Sequence, residues 1–309
     1  MKLVLSRFFI VSVVSLGCSF CLGGQGLGGQ SPAGQTLTAD RFLDRVAAHY
    51  VGDEVERDQS AEAYEALNAA SPAEVQRMLP ILLVYTRGGS EAHVRAYAAL
   101  FLSAIAIRSD GAELLSSRPK EISSLIVDLN PGIQKVAVAI TDYLIGRPHT
   151  DNQPYIEALA AAMQMTRTPQ DAASGMIVPL MTFGSSDPVS VKAVLDFMGR
   201  NDLTLETRRE LPHTLGSVEA LPDPVNLALS KLLDDPDASV RVSALVAFAD
   251  STTRFHNLAK DRVEKMANDP QENPKVRDLA KEAVAGKTHL NPNILIPNSE
   301  IEPTKPSLP

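Results

Sequence analysis

Apolar side chains recur along most of this chain at i, i+3, i+4, i+7 and i+8, the spacing of one face of an α-helix. Leu43, Val46, Ala47, Tyr50 and Val51 follow it, with Gly52 placed to end the helix, and Ser60 can cap a short helix through Leu67. Ser71-Pro72-Ala73-Glu74 is a strong helix start, with a capping Ser, Pro at the first helical position and an acid in the first turn. Val75, Met78, Leu79, Leu82 and Leu83 continue it. The spacing returns in Ile122, Leu125, Ile126 and Leu129, in Ile156, Leu159, Ala160 and Met163, and in Val191, Val194, Leu195 and Met198. It returns again in Val225, Ala228, Leu229, Leu232 and Leu233, and in Phe255, Leu258, Ala259, Val263 and Met266. These first helices begin at 75, 122, 156, 191, 225 and 255, with gaps of 47, 34, 35, 34 and 30 residues.

A second series interleaves with the first. Val94-Arg95, Ile133-Gln134, Val240-Arg241 and Val276-Arg277 are each followed by helical apolar positions, with a small residue at 98, 137, 244 and 280 that lets paired helices approach closely. Weaker versions start at Gln170-Asp171 and Thr207-Arg208. Two helices per 30–47 residues, repeated, predict an all-α fold, an α-solenoid. Alternating strands with hairpin dipeptides are missing, so no sheet is expected. Pro80 should kink a first helix, while Pro179 and Pro212 should bend or break second helices, which makes 150–218 the stretch expected to be irregular.

The flanks differ from this body. Residues 1–24 read as an export signal: Lys2 and Arg7, the apolar run Phe8–Leu16, then small residues. The run is too short for a stable membrane anchor. Residues 25–37 read as a flexible linker, 38–70 as a helical N-terminal cap, 71–286 as the repeats and 287–309 as a Pro-rich tail. Asn291–Pro297 could lie along the last repeat as an apolar strap. Both cysteines, Cys18 and Cys21, fall in the leader, so removal beyond Cys21 leaves no disulfide or thiolate site. Ser15-Leu16-Gly17-Cys18 resembles a bacterial lipoprotein signal, which makes Cys18 a lipidation candidate; Ser15 stands where that pattern has Leu.

Asp235-Pro236-Asp237-Ala238-Ser239-Val240-Arg241, continuing to Phe248, resembles the second half of a HEAT repeat. Asp269-Pro270 with Asn273-Pro274-Lys275-Val276-Arg277 resembles it with two extra turn residues, and His93-Val94-Arg95-Ala96-Tyr97 is a further copy. The likeness covers about 70–286 and implies about six HEAT-like helix pairs in a right-handed superhelix of bacterial exported type. It also implies that the turn Asp caps the second helix and that the Arg packs on the neighbouring repeat. Arg95, Asp235, Arg241, Asp269 and Arg277 are therefore expected to be structural residues of the repeat.

Charge and chemistry narrow the function. There are 29 Lys and Arg against 37 Asp and Glu; removal of the leader leaves 27 against 37, a net charge of −10. An acidic chain has no basic excess to displace counterions from phosphates, so nucleic acid is not the expected partner. The six His are scattered, with no pair at i, i+4 and no metalloprotease signature, so no metal or cofactor is expected. Gly184-Ser185-Ser186-Asp187 and Gly88-Gly89-Ser90-Glu91 read as helix-capping turns, and Asp234-Asp235 with Asp237 lacks calcium-loop spacing. No nucleophile elbow or phosphate loop is present. The expected function is a non-enzymatic exported scaffold of the periplasm or cell envelope, without catalytic residues. It would bind a protein or peptide on the curved face through polar positions of the second helices such as Tyr97 and Thr141. The rival readings are a structural envelope protein tethered through Cys18, and an enzyme with its site near His149, Asp187 and His213.

Overall fold

A computed structural model describes residues 67, 69–87, 92–250, 254–288 and 290. Among these there are thirteen α-helices and no strand. They are α1 (Pro72–Tyr85), α2 (Ala92–Ile107), α3 (Ser109–Ser116), α4 (Pro119–Ile126), α5 (Pro131–Leu144), α6 (Gln153–Gln164) and α7 (Gln170–Phe183). Then follow α8 (Pro188–Met198), α9 (Leu205–Gly216), α10 (Asp223–Lys231), α11 (Ala238–Asp250), α12 (Arg254–Asn268) and α13 (Pro274–Val284).

The helices stack in two layers. α4, α6, α8, α10 and α12 each pack on the next, and so do α2, α5, α7, α9, α11 and α13. α1 packs on α2 and α3, and α3 on α4, which extends the first layer backwards. The chain is thus an α-solenoid of helix pairs. Residues far apart in sequence never need to meet, because each pair is covered by its neighbours.

The core lies between the layers. Val75, Met78, Leu79, Leu82 and Leu83 of α1 are buried, as are Ile156, Leu159, Ala160 and Met163 of α6. Burying one such aliphatic side chain contributes about 1.5–3 kcal/mol. The small residues Ala98, Ala137, Ala244 and Ala280 are fully buried where the second helices meet the first layer. Proline and polar caps set the starts. Ser71 and Glu74 form the reciprocal capping box on α1, with the Ser71 amide donating to Glu74 Oε2 at 2.8 Å. The Ser71 hydroxyl first, and this amide second, hold the Glu74 carboxyl below its ordinary pKa. Asn130 and Asn273 cap α5 and α13, each before a Pro at the first helical position. At the far end, Gly286 at φ +80° ends α13; the amides of Gly286 and Lys287 return to the carbonyls of Ala283 and Glu282. That left-handed turn suits a residue without Cβ.

The 47-residue gap between first helices holds α3, tucked so closely that a Cβ on Gly111 would sit 2.7 Å from Ile105 Cγ2. Two expectations need correction. Leu129 is not on a helix face, because α4 stops at Ile126, and it is 67% exposed. Finally, Pro179 and Pro212 do not break their helices; α7 and α9 run through them, with both rings buried. An internal proline costs roughly 3 kcal/mol. Burial of Ile177, Leu180 and Met181 around Pro179, and of Leu211 and Leu215 around Pro212, offsets it. Helix pairing through 150–218 therefore keeps the pattern of its neighbours. The leader, the linker, Cys18, Gly88–Glu91, the 43–51 helix and the 291–297 strap lie outside the described residues.

Candidate binding face

Each described second helix but the last begins by reaching forward to the turn of the next repeat. Arg95 Nη2 meets Asp128 Oδ1 at 3.4 Å, with both side chains 13% exposed. Arg208 Nη1 donates to both oxygens of Asp235 at 2.7 Å. Arg241 Nη2 donates to Glu272 Oε1 at 2.5 Å, while its Nη1 holds the carbonyls of Asp235 and Pro236. In the middle of the array amides take over. Gln134 Nε2 reaches Thr168 Oγ1 at 3.5 Å, and Gln170 both donates to the Asp202 carbonyl and accepts from the Thr204 amide, each at 2.8 Å. The result is a ladder of long polar side chains, one rung per repeat. In α7 the position matching the other Arg and Gln residues is Ala173, and Gln170 supplies the rung from one turn earlier.

The ladder assigns the repeat residues singled out from sequence. Arg95 and Arg241 each bridge to the turn of the next repeat. Arg277 makes only a long 3.5 Å contact to the Pro270 carbonyl among the described residues. Asp235 does not cap its helix: it receives Arg208 and the Asp237 amide. The cap is Asp237, which accepts from the Ser239 amide at 2.8 Å. Asp269 likewise holds the Gln271 amide, four residues before the capping Asn273. Asp128 plays the part of Asp235 in an earlier repeat, holding the Asn130 amide while receiving Arg95. The sequence reading missed it, although Asp128-Leu129-Asn130 has the spacing of Asp235-Pro236-Asp237.

The second helices also share a solvent-facing line. Five residues after the ladder position stand Leu100, Ala139, Val178, His213, Val246 and Glu282, each exposed or half-buried. This row is apolar at four of its six positions and is flanked by acids. Lys135 of α5 bridges to Asp171 of α7 at 2.5 Å. One helix further, Glu206 and Glu210 lie a turn apart on α9. Desolvation first, then repulsion from Glu206 and Asp171, pushes the Glu210 carboxyl up, and His213 partly relieves it. Asp142 stands on the same side of α5. Water reaches it, yet protein crowded around it removes enough hydration to push its carboxyl up to about 7.

The named candidates fare differently. Thr141 is not a contact residue: it is fully buried and its hydroxyl donates to the Ala137 carbonyl at 2.9 Å. A one-residue shift on a helix turns a side chain by 100°, and the outward position is Asp142. Tyr97 lies in α2, with its side chain outside the described residues. The three residues of the enzyme reading are not brought together by any hydrogen bond or ion pair. His149 occupies the α5–α6 turn at φ 67°, a backbone role that His tolerates better than most residues. Asp187 caps α8 through Val189 and Ser190, and His213 faces solvent on α9. Among the described residues no three His, Cys, Asp or Glu are grouped to hold a metal. No described helix is long and apolar enough to cross a membrane.

No protein-family model and no curated protein matches the sequence. Among solved structures, the chain is similar to an engineered protein, at 16% identity over 80% of this chain and 67% of the other, with a TM-score of 0.46. It is similar to a designed armadillo repeat protein, at 17% identity over 81% and 99%, TM-score 0.34. A second designed armadillo repeat protein, in complex with the peptide (KR)4, gives 16% identity over 81% and 98%, TM-score 0.37. No residue role passes from them to this chain.

Proposed function

We propose that this protein is a non-enzymatic scaffold that holds an extended, cation-bearing segment of another protein along the face of its second helices. The repeat is read as HEAT-like on the Asp235–Phe248 pattern, and the chain as exported on the strength of its first 24 residues. The observation that carries the reading is the row Leu100, Ala139, Val178, His213, Val246 and Glu282 with its acidic margin of Asp142, Asp171, Glu206 and Glu210.

Geometry sets the size of the ligand. Six second helices spaced by about 8–10 Å make a face about 40–50 Å long. An extended chain rises about 3.3 Å per residue, so the face suits roughly 12–15 residues. Short side chains at Ala139 and Val178 leave room for the partner's apolar groups. The acids, unevenly matched by Lys135, favour Lys or Arg at the margin, and attraction of this kind weakens as salt screens it.

Selection of a random 14-residue peptide library on the full chain tests the reading. Enrichment of Lys- or Arg-containing sequences is expected, with binding falling at least tenfold in the Glu206→Lys/Glu210→Lys variant and falling with added salt. Absence of enrichment, or peptides indifferent to that variant, would sink it.

A further inference from the structure

The second helices do not share the solvent-facing row equally. α2 leaves Leu100 47% and Ile107 49% exposed, and no other described second helix leaves two large aliphatic side chains open. Seven residues apart, they point within about 20° of each other and lie about 10 Å apart along the helix axis. Ser103 stands between them, and its hydroxyl donates back to the Leu100 carbonyl at 2.9 Å. α2 contains no Asp or Glu. A single exposed aliphatic side chain is ordinary, but a two-turn apolar strip on one face is a candidate contact. Three second helices further on, the same face is acidic. Glu206 and Glu210 of α9 are both exposed, and with His213 of the row they follow the four-and-three spacing of one helix face. The cations between them in sequence are engaged elsewhere: Arg208 donates to Asp235 and Arg209 to Ser239, both in the following repeat. Among the described residues neither glutamate has an ion pair.

The row runs from α2 through α5 and α7 to α9, and these helices pack in that order. Three interhelical steps of about 8–10 Å put the apolar strip about 24–30 Å from the glutamates. An extended chain covers that distance in about seven to nine residues. Between the two ends the row is Ala139 and Val178, both half-buried. Lys135 and Asp171 offset each other there, and loss of hydration pushes the one further acid, Asp142, up to about 7. The two ends therefore ask for different chemistry. We propose that the bound segment carries a block of large apolar side chains over α2 and a pair of Lys or Arg residues over α9, about eight residues apart. This rests on the peptide-binding reading above and adds the order of the partner's chemistry along the face. A purely basic segment would leave Leu100 and Ile107 in water, and a purely apolar one would strip hydration from two unpaired carboxylates.

Fluorescence anisotropy with the full chain and three labelled peptides tests it. The first peptide carries Leu-Phe-Leu, about eight Ser, Gly and Thr residues as a spacer, and Lys-Arg. The second has the same composition with the two blocks adjacent, and the third has Ser in place of the apolar block; each is made in both chain directions. The first is expected to bind at least tenfold more tightly than the other two in one of the directions. Leu100→Ser/Ile107→Ser, checked by circular dichroism for an intact fold, should bring that ratio below twofold. Equal binding of the three peptides, weakened together by Glu206→Lys/Glu210→Lys, overturns the inference and leaves the peptide-binding reading standing. A ratio that the Ser substitutions leave unchanged overturns it too. Binding of none of the peptides removes both. A fall in sedimentation mass on Leu100→Ser/Ile107→Ser would assign the strip to contact between copies of the chain, and so also overturns it.

Discussion

Asp142 and its neighbour Thr141 show how finely a helix separates roles. Thr141 faces inward and spends its hydroxyl on the Ala137 carbonyl, whereas Asp142 faces the solvent row. The raised pKa of Asp142 fixes the direction of its effect on stability. The folded chain holds the proton more tightly than the unfolded chain, whose carboxyl titrates near 3.8. Ionising it therefore opposes folding: the cost is absent below about pH 4, develops as pH rises, and is complete above about 7. Asp142→Asn is expected to raise Tm at pH 8 and to leave it unchanged at pH 3.5. Thermal unfolding across that range checks this, and a Tm difference that does not vary with pH refutes it. The sequence marked second helices as the place for polar contacts but did not say which of two adjacent polar residues points outward. That depends on where the neighbouring helices lie, and a register shift of one residue reverses the answer.

Helices were legible wherever apolar spacing was long and caps were explicit. Ser71-Pro72 and Asp187-Pro188 begin helices as their chemistry demands. α3 was not legible, because eight residues carry too few apolar positions to establish a period. Its signal is instead a clamp: Arg108 donates to the carbonyls of Leu67 and Ala70 at 2.7 and 2.8 Å and pairs with Asp110, holding that carboxyl below its ordinary pKa. Such a clamp joins positions about forty residues apart, which local reading cannot see. Burial of the proline rings was equally invisible locally, so the expected breaks in α7 and α9 gave way to packing. The tight seat of α3 has a measurable consequence. Gly111→Ala adds a methyl group against Ile105 and should destabilise the chain by about 1–3 kcal/mol, as overpacking does, although Ala is the better helix former. Urea denaturation checks this; an equal or raised midpoint would show that α3 can shift outward freely.

On the scale of the whole molecule, the repeat pattern was legible because each helix pair packs mainly on its neighbours in the array. Its termination was not read from sequence. In the inner repeats, the line four and seven residues beyond the ladder position is buried, as at Val138 and Thr141, or Leu245 and Phe248. In α13 the same line is Lys281 and Val284, both exposed, below Arg277. The last repeat thus carries charge where the others carry aliphatic surface. Arg277→Leu/Lys281→Leu should therefore turn the end into an apolar patch with Val284 and drive self-association, measurable as concentration-dependent sedimentation. A variant that stays at the parent's mass at high concentration would refute this.

The ladder also makes the array mechanically uneven. At either end a guanidinium grips a carboxylate across each joint, whereas the joint between α5 and α7 is held by the 3.5 Å Gln134–Thr168 contact and the exposed Lys135–Asp171 pair. Under a pull along its length, the solenoid would behave as two stiff segments joined by a softer coil, and extension would begin there, next to the acids that make up the margin of the binding face.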